Sequence, residues 1–574
     1  MSANALLLSG SSGPSAAHQL EGVLAVFGVE CSRTTVEELI SLRGDSQVRV
    51  LCSAASFLEL LASFETSAEA ISSWRSSVHS AFVSAADDPI AFEKVARQVA
   101  SDPAASLVTT QGGGQWSVSD ELPGFCRSMS GIRVTSTGGP ERALVFDGSK
   151  SNAASIVFNA RGTAFVRVEF HGVPVYMSAG GIVDVQAPLR TRVFDVRLDF
   201  LTAVPVVLYV TWAFGDRCWR PAETLACLVV DDPPLRPRYG HINFEHFLRL
   251  MERLDFSTSV AFIPWNWNRS ARKTVRLFAE NHNRFSLSVH GCDHARGEYG
   301  DRDRDRLLSK SGRALERMDR HKARTGLPYD RVMVLPQGVF SEPAIEALKR
   351  AGFLAVVNTE VISATGEVSR IRVCDYWDVA LMSYSEFPIF TRRRPSDGIE
   401  NFAFDILLGK PCLVVVHHTD FHDDCRQVEG FIAQLKKLNA QLRWMNLAEV
   451  VRRSIRQRLV SPHDMEVEIY CSEARIENLS GQQRAFRICK RESTSDGIRE
   501  IRVGAHAVEW TASRGRVCFE AELNRGESTE VAIAFQELAV DGVVGQRLRD
   551  RVRVAARRYL CEARDNYLMP RSIW

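Results

Sequence analysis

Two aspartates and two histidines stand at positions that suit metal chemistry. Asp231 and Asp232 close an apolar run, Leu228-Val-Val, and are followed by Pro233 and Pro234. His290 and His294 follow a second short apolar run, Phe285 to Val289. A divalent ion such as zinc accepts imidazole nitrogen and carboxylate oxygen, and three protein ligands leave a position open for water. Asp232, His290 and His294 make such a set, and Asp231 beside them is free to take a proton from the attacking water. Histidines four apart face one way on a helix; at a strand end, Gly291 permits a turn that brings both rings round. The competing reading makes the aspartates helix caps and the histidines surface or core groups. The paired prolines weigh against it, because they make a stiff extended exit. Acidic residues and histidines at the ends of apolar strands fit an α/β fold, whose strand ends gather at one rim where ligands bind.

The elements that must carry these residues recur downstream. Met333-Val-Leu-Pro336-Gln337-Gly338 is followed by an amphipathic run to Gly352-Phe353, and a late apolar strand, Leu413-Val-Val-Val, runs into His417 and His418. With the aspartate pair and the His-x-x-x-His pair, in this order, residues 225–460 resemble the catalytic domain of the polysaccharide deacetylase family. The resemblance implies a deformed (β/α) barrel that hydrolyses an N-acyl group, in the first instance N-acetyl, on a sugar or related compound. It makes Asp231 the base, and Asp232, His290 and His294 the ligands of a divalent metal ion, with zinc the first choice. It implies a late histidine, His417 or His418, as proton donor to the leaving nitrogen. Alternation of strand faces admits only one of the two, and His417 is slightly favoured because it directly follows the apolar run. Pro336 and Gln337 are implied at the substrate. The chain departs from the family at two points: Gly291 stands where Ser or Thr is usual, and no arginine immediately precedes Pro336 to orient the base, the nearest being Arg331.

Other residues fall at the same rim if the strands are parallel. The strand Ser259 to Ile263 ends in Pro264-Trp-Asn-Trp-Asn-Arg, so Trp265, Trp267 and Arg269 serve either as a sugar-stacking, substrate-binding platform or as an internal cap. Arg392, Arg393 and Arg394 lie in Ser385 to Asp397, read as a solvated loop, with an anionic substrate group as the alternative.

Length implies several domains: the chain has 574 residues. Residues 1–16 read as disordered and 17–220 as an α/β domain, resembling a nucleotide-binding or amidotransferase domain without a nucleophile, since Cys126 has no evident histidine partner. Within it Ile182 to Val185 reads as a strand. Leu201 to Trp212 is an apolar run interrupted by Pro205 and too short to span a membrane. After the barrel, residues 463–545 read as a β-sandwich-like domain, with Val508 to Trp510 among its strands. Residues 546–574 read as a basic helix and a tail, carrying Tyr567, Leu568, Ile573 and Trp574, that docks on its own domain or a partner.

A formal charge of +2 implies no nucleic-acid partner. The thirteen cysteines are scattered without a CxxC pair, and no secretory or transmembrane segment is evident. Free thiols and a cytoplasmic location are therefore expected, with a carbohydrate or other N-acylated small molecule as the partner; a homo-oligomer or a partner enzyme stays open. The rival function is a catalytically inactive deacetylase-like scaffold that binds a glycan or a partner protein. A glycosidase is disfavoured, because adjacent carboxylates cannot flank a sugar bond.

Overall fold

The computed structural model describes residues 5–9, 15–42, 47–85, 88–147, 152–364, 371–493, 497–536 and 548–568. Ile573 and Trp574 of the tail lie outside them.

Seven strands form the central unit: β1 (Leu225–Asp231), β2 (Thr258–Phe262), β3 (Phe285–His290), β4 (Asp330–Val334), β5 (Ala355–Asn358), β6 (Ile389–Thr391) and β7 (Cys412–His417). The spatial order is β6-β5-β4-β3-β2-β1-β7, every neighbouring pair parallel. The sheet curls until its ends meet. Just past β6, Arg393 bridges Val414 of β7, its N–H donating to the Leu413 carbonyl and its carbonyl accepting from Val415. This is a deformed parallel barrel with crossover helices outside, among them Phe244–Arg253, Arg272–Glu280 and Glu342–Arg350.

Strand alternation sorts the barrel's side chains into two sets. Cys227, Val229, Ala261, Val334, Val357, Phe390 and Leu413 share one small core. Leu228, Val230, Val260, Leu287, Val289 and Val416 belong to a larger one with Phe244 and Phe247 of the outer helix layer. The first set fills the interior, so the residues continuing its phase at the strand ends point into the mouth. These are Asp231, two beyond Val229; Arg392, two beyond Phe390; and His417, four beyond Leu413.

The N-terminal part is an eleven-stranded mixed sheet. Cys31–Thr34, Ala5–Leu8, Val48–Ser53, Val78–Ser84 and Val173–Ser178 lie parallel in that order, and antiparallel strands continue from Gly162–Phe170. Disorder does not hold at Ala5–Leu8, an apolar segment that is hydrogen-bonded to strands on both sides and buried; residues 1–4 and 10–14 lie outside the described residues. Ile182 to Val185 is not a strand. Its backbone instead meets Thr202 and, through Val185, Cys374 at the barrel. The apolar run at 201–212 lies within the helix Phe200–Phe214, which continues through Pro205 and is buried nearly all round between the N-terminal sheet and the barrel. Among the described residues no helix is long and apolar enough to cross a membrane.

A six-stranded sheet, whose edge strand Arg220–Pro221 precedes the barrel while the other five follow it, and a four-stranded sheet enclose a common core including Val467, Ile476, Ile488, Phe519 and Val531. Val508 to Trp510 falls between two short strands, His506–Ala507 and Thr511–Ser513. The expectation of only free thiols fails at one place. Cys489 and Cys518 are directly opposed on adjacent antiparallel strands and form a disulfide; the other eleven cysteines are free. The helix Leu548–Ala563 and the π-turn Arg564–Leu568 after it lie across the barrel mouth.

Candidate metal centre

Three atoms converge at the mouth. His294 Nε2 lies 3.1 Å and His290 Nε2 3.5 Å from Asp232 Oδ1, and all three are within ligand-sharing distance of one another. His290 directs its Nδ1 at the Val334 carbonyl, 2.9 Å away. That bond places the ring proton on Nδ1 and leaves the Nε2 lone pair facing the cluster. Asp232 Oδ1 is buried and has no hydrogen-bond donor. Two imidazole nitrogens and an orphaned carboxylate oxygen pointed at one volume are electron-rich groups that a cation would satisfy, and N₂O is a donor set that zinc accepts. The residues fit the ion.

Burial works against the charge on Asp232, but His294 and His290, with Arg558 behind them, hold its carboxyl well below the usual range. Burial pushes His294 down to about 4. For His290, Asp231 and Asp232 outweigh burial and raise the pKa.

The backbone turns that aim these groups lie in the left-handed region. Asp232 has φ 82°, Gly291 66°, His294 55° and Gln337 61°, a costly conformation for the three that are not glycine. Position 291 needs glycine for a second reason: a Cβ there would sit 2.5 Å from Glu298 Oε2 and 3.1 Å from Pro336 Cγ. Glu298 accepts the backbone amides of Cys292 and His294 on Oε2 (3.1 and 3.0 Å) and of Asp293 on Oε1 (2.9 Å). It therefore holds the loop between the two histidines from below. Cys292, Asp293 and Glu298 are also close enough to share an ion, but these groups are engaged. Glu298 is bound to the three amides, Asp293 pairs with Arg317 at 2.6 Å, and burial raises the Cys292 thiol well above its usual range. Glu298→Gln would turn an amide N–H₂ toward at least one backbone N–H and orphan it, at about 1–3 kcal/mol. We expect metal affinity to fall about 10–100-fold, measured by competition with a chromophoric chelator.

Asp231 stands beside the cluster and is almost wholly buried, at 3% exposure. Both oxygens are gripped by Arg392, Nη1 to Oδ1 at 2.6 Å and Nη2 to Oδ2 at 2.8 Å. Burial alone would raise this carboxyl; Arg392, with His290 and His417, holds it below its usual range. The solvated-loop reading of the three arginines is thereby corrected. Arg392 is interior and Arg393 is buried against Asp405 and the Phe194 carbonyl, while only Arg394 is exposed. Arg331 is remote from this function, bonded to the Gly352 carbonyl and Glu473.

His417 and His418 diverge as strand alternation requires. His417 Nε2 is 3.8 Å from Asp231 Oδ2 and the ring is partly open to solvent. Its neighbour His418 is buried under Gly240 and edge-on to Tyr239, with Nε2 3.4 Å from Asp565. The carboxylate it pairs with is Asp565, not Asp231 or Asp232.

The remaining candidates frame the mouth. Pro336 is buried beneath Gly291, and Gln337 is on the outer rim, its Oε1 accepting from the Gly297 amide at 3.2 Å. The amide of Trp265 donates to the Cys292 carbonyl, on the loop between His290 and His294. Arg269 stacks on the rings of Trp265 and of Tyr559 from the C-terminal helix, and pairs with Glu562. Trp267 lies under Arg320. Trp265, Trp267, Arg269 and Tyr559 line a cleft of about 490 Å³ between this rim and the helix.

No protein-family model matches the chain, and no curated protein matches it. Among solved structures it is similar to a CE4 family pseudoenzyme from Bacillus anthracis, with 10% identity and a TM-score of 0.25 over 39% of this chain and 64% of that one. The chain thus spans less than two thirds of the pseudoenzyme's length. A family 4 carbohydrate esterase from Streptomyces lividans in complex with acetate is similar over 38% of this chain and 88% of its own, at 12% identity and a TM-score of 0.23. A family 4 acetyl xylan esterase from Clostridium thermocellum in complex with a cobalt ion is similar over 39% and 89%, at 12% identity and a TM-score of 0.25.

Proposed function

We propose that the barrel is a metal-dependent hydrolase acting on an N-acyl group, with an N-acetylated sugar or related compound as substrate. One observation carries this reading: a His-His-Asp donor set with an arginine-clamped carboxylate beside it. A divalent ion held by Asp232, His290 and His294 would supply polarisation of the scissile carbonyl and a lowered pKa for the attacking water.

The chain's own residues do the rest. Asp231 accepts the water proton. Arg392 uses one donor per carboxylate oxygen, so the base is fixed in orientation while lone pairs remain on both oxygens. His417 delivers a proton to the leaving nitrogen; its pairing across the strands with Asp231 and its partly open ring support that role. Trp265 and Trp267, each with one face covered by an arginine, line the cleft through which a sugar would approach.

The test is acetate release from a panel of N-acetylated amino sugars by protein reconstituted with zinc. Release that stops on chelation and returns with zinc is the expected result. Full metal occupancy with no release from any member contradicts the hydrolase reading and favours a glycan- or partner-binding scaffold.

A further inference from the structure

The C-terminal helix and its π-turn lie on the barrel without sharing its core. Among the described residues, none of 548–567 belongs to an apolar core. Leu548, Val552, Tyr559 and Leu560 are each more than half exposed, although the first three line the cleft toward Trp265 and Arg269. The side chains that the segment does bury are Arg558, Glu562 and Asp565, all charged. A helix held by apolar packing buries the opposite set.

Polar contacts hold it instead, and they fall on one side of the rim. Glu562 pairs with Arg269, in the loop after β2, at 2.9 Å and with Arg236, in the loop after β1, at 3.6 Å. Asp565 accepts from Tyr239 Oη at 2.6 Å and lies 3.4 Å from Nε2 of His418, just past β7. The Gly240 amide donates to Asn566 at 3.0 Å. In the sheet β1 lies between β2 and β7. A segment anchored to the loops of all three therefore crosses the end of β1, where Asp231 and Asp232 stand. The cover is incomplete, since the side chains of Asp232 and His417 keep 26% and 40% exposure. When the segment lifts, its charged groups exchange protein partners for water and no core is exposed. Segments with few buried apolar contacts open at low free energy, ahead of global unfolding.

We propose that residues 548–567 form a releasable strap, closed over the β7–β1–β2 side of the mouth by this ionic latch, whose opening with the barrel intact admits substrate to the end of β1. The word substrate rests on the hydrolase reading; release of the strap does not, and the test uses neither ligand nor turnover. Amide hydrogen exchange of the full chain is followed by mass spectrometry in the wild type and three variants. Glu562→Gln/Asp565→Asn breaks the latch. Leu548→Gln/Val552→Gln removes apolar contacts of the segment while keeping good helix formers. Tyr239→Phe loosens the latch from the barrel side.

The latch variant should exchange at least about tenfold faster over residues 548–566 and at the Gly240 amide, as the loss of charge-assisted contacts allows, with β1 and β7 unchanged. Tyr239→Phe should move the same amides in the same direction by a smaller factor. The apolar variant should leave them as they are in the wild type. Unchanged exchange in the latch variant overturns the proposal, as does equal acceleration in the apolar variant. A latch variant or Tyr239→Phe protein in which β1 and β7 open together with the segment overturns it too, because the segment is then part of the barrel's cooperative unit. Release of the strap in a protein that hydrolyses no N-acetylated sugar would sink the hydrolase reading and leave the strap standing.

Discussion

Arg392→Met is expected to abolish measurable hydrolysis and to destabilise the protein by about 3–5 kcal/mol, the usual cost of removing one partner of a buried ion pair. Both members of the pair are buried to 3% exposure, and the two hydrogen bonds use both Asp231 oxygens. Methionine would leave that carboxylate in the barrel interior with no counter-charge of comparable geometry. Arg392→Lys keeps the charge and loses the fork, so it should recover much of the stability and little of the rate. The readouts are a denaturant unfolding midpoint and acetate release on the same preparations. A methionine variant that unfolds with the wild type and turns over normally would show that the clamp does neither job.

Asp231→Asn separates chemistry from metal binding. The side chain does not belong to the converging trio; it sits beside it, held by Arg392. Asparagine keeps the shape and gives up the proton acceptor. The rate should fall about 10²–10⁴-fold, the usual contribution of a general base, with zinc content unchanged by elemental analysis. A variant that keeps its zinc and its full rate would remove Asp231 from the mechanism.

The legible parts of this chain were those written in local runs. Asp231, Asp232, His290 and His294 follow apolar strands whose alternation and length were plain, and the glycine between the histidines marked the turn. Arg392 was harder. The expected arginine was sought before Pro336, whereas the structure supplies a guanidinium to Asp231 from just past a strand of three residues, Ile389–Thr391. So short a strand has almost no periodicity of its own. A signal existed nonetheless: Phe390 and Arg392 share a strand face, which also gives Arg392 and Arg393 opposite environments. The different surroundings of His417, near Asp231, and His418, near Asp565, follow from the same rule. The placements of Glu298 and Arg558 had no local signature. Glu298 works through three backbone amides, a property of how the loop folds. Arg558 read as one more charge on a basic helix, because the face that helix buries is set by partners hundreds of residues earlier, Arg269 and Tyr239. The disulfide was missed for the same reason, since Cys489 and Cys518 meet only through the register of two strands.

The central claim is that Asp232, His290 and His294 hold one divalent ion. Equilibrium dialysis against zinc, followed by elemental analysis, tests it directly on the wild type and on His294→Ala. The account predicts about one ion per chain for the wild type and a loss of at least about tenfold in affinity on removing one ligand, as even outer partners of metal sites command that much. A wild-type protein that takes up no zinc, or a His294→Ala protein that binds it as tightly as the wild type, would contradict it.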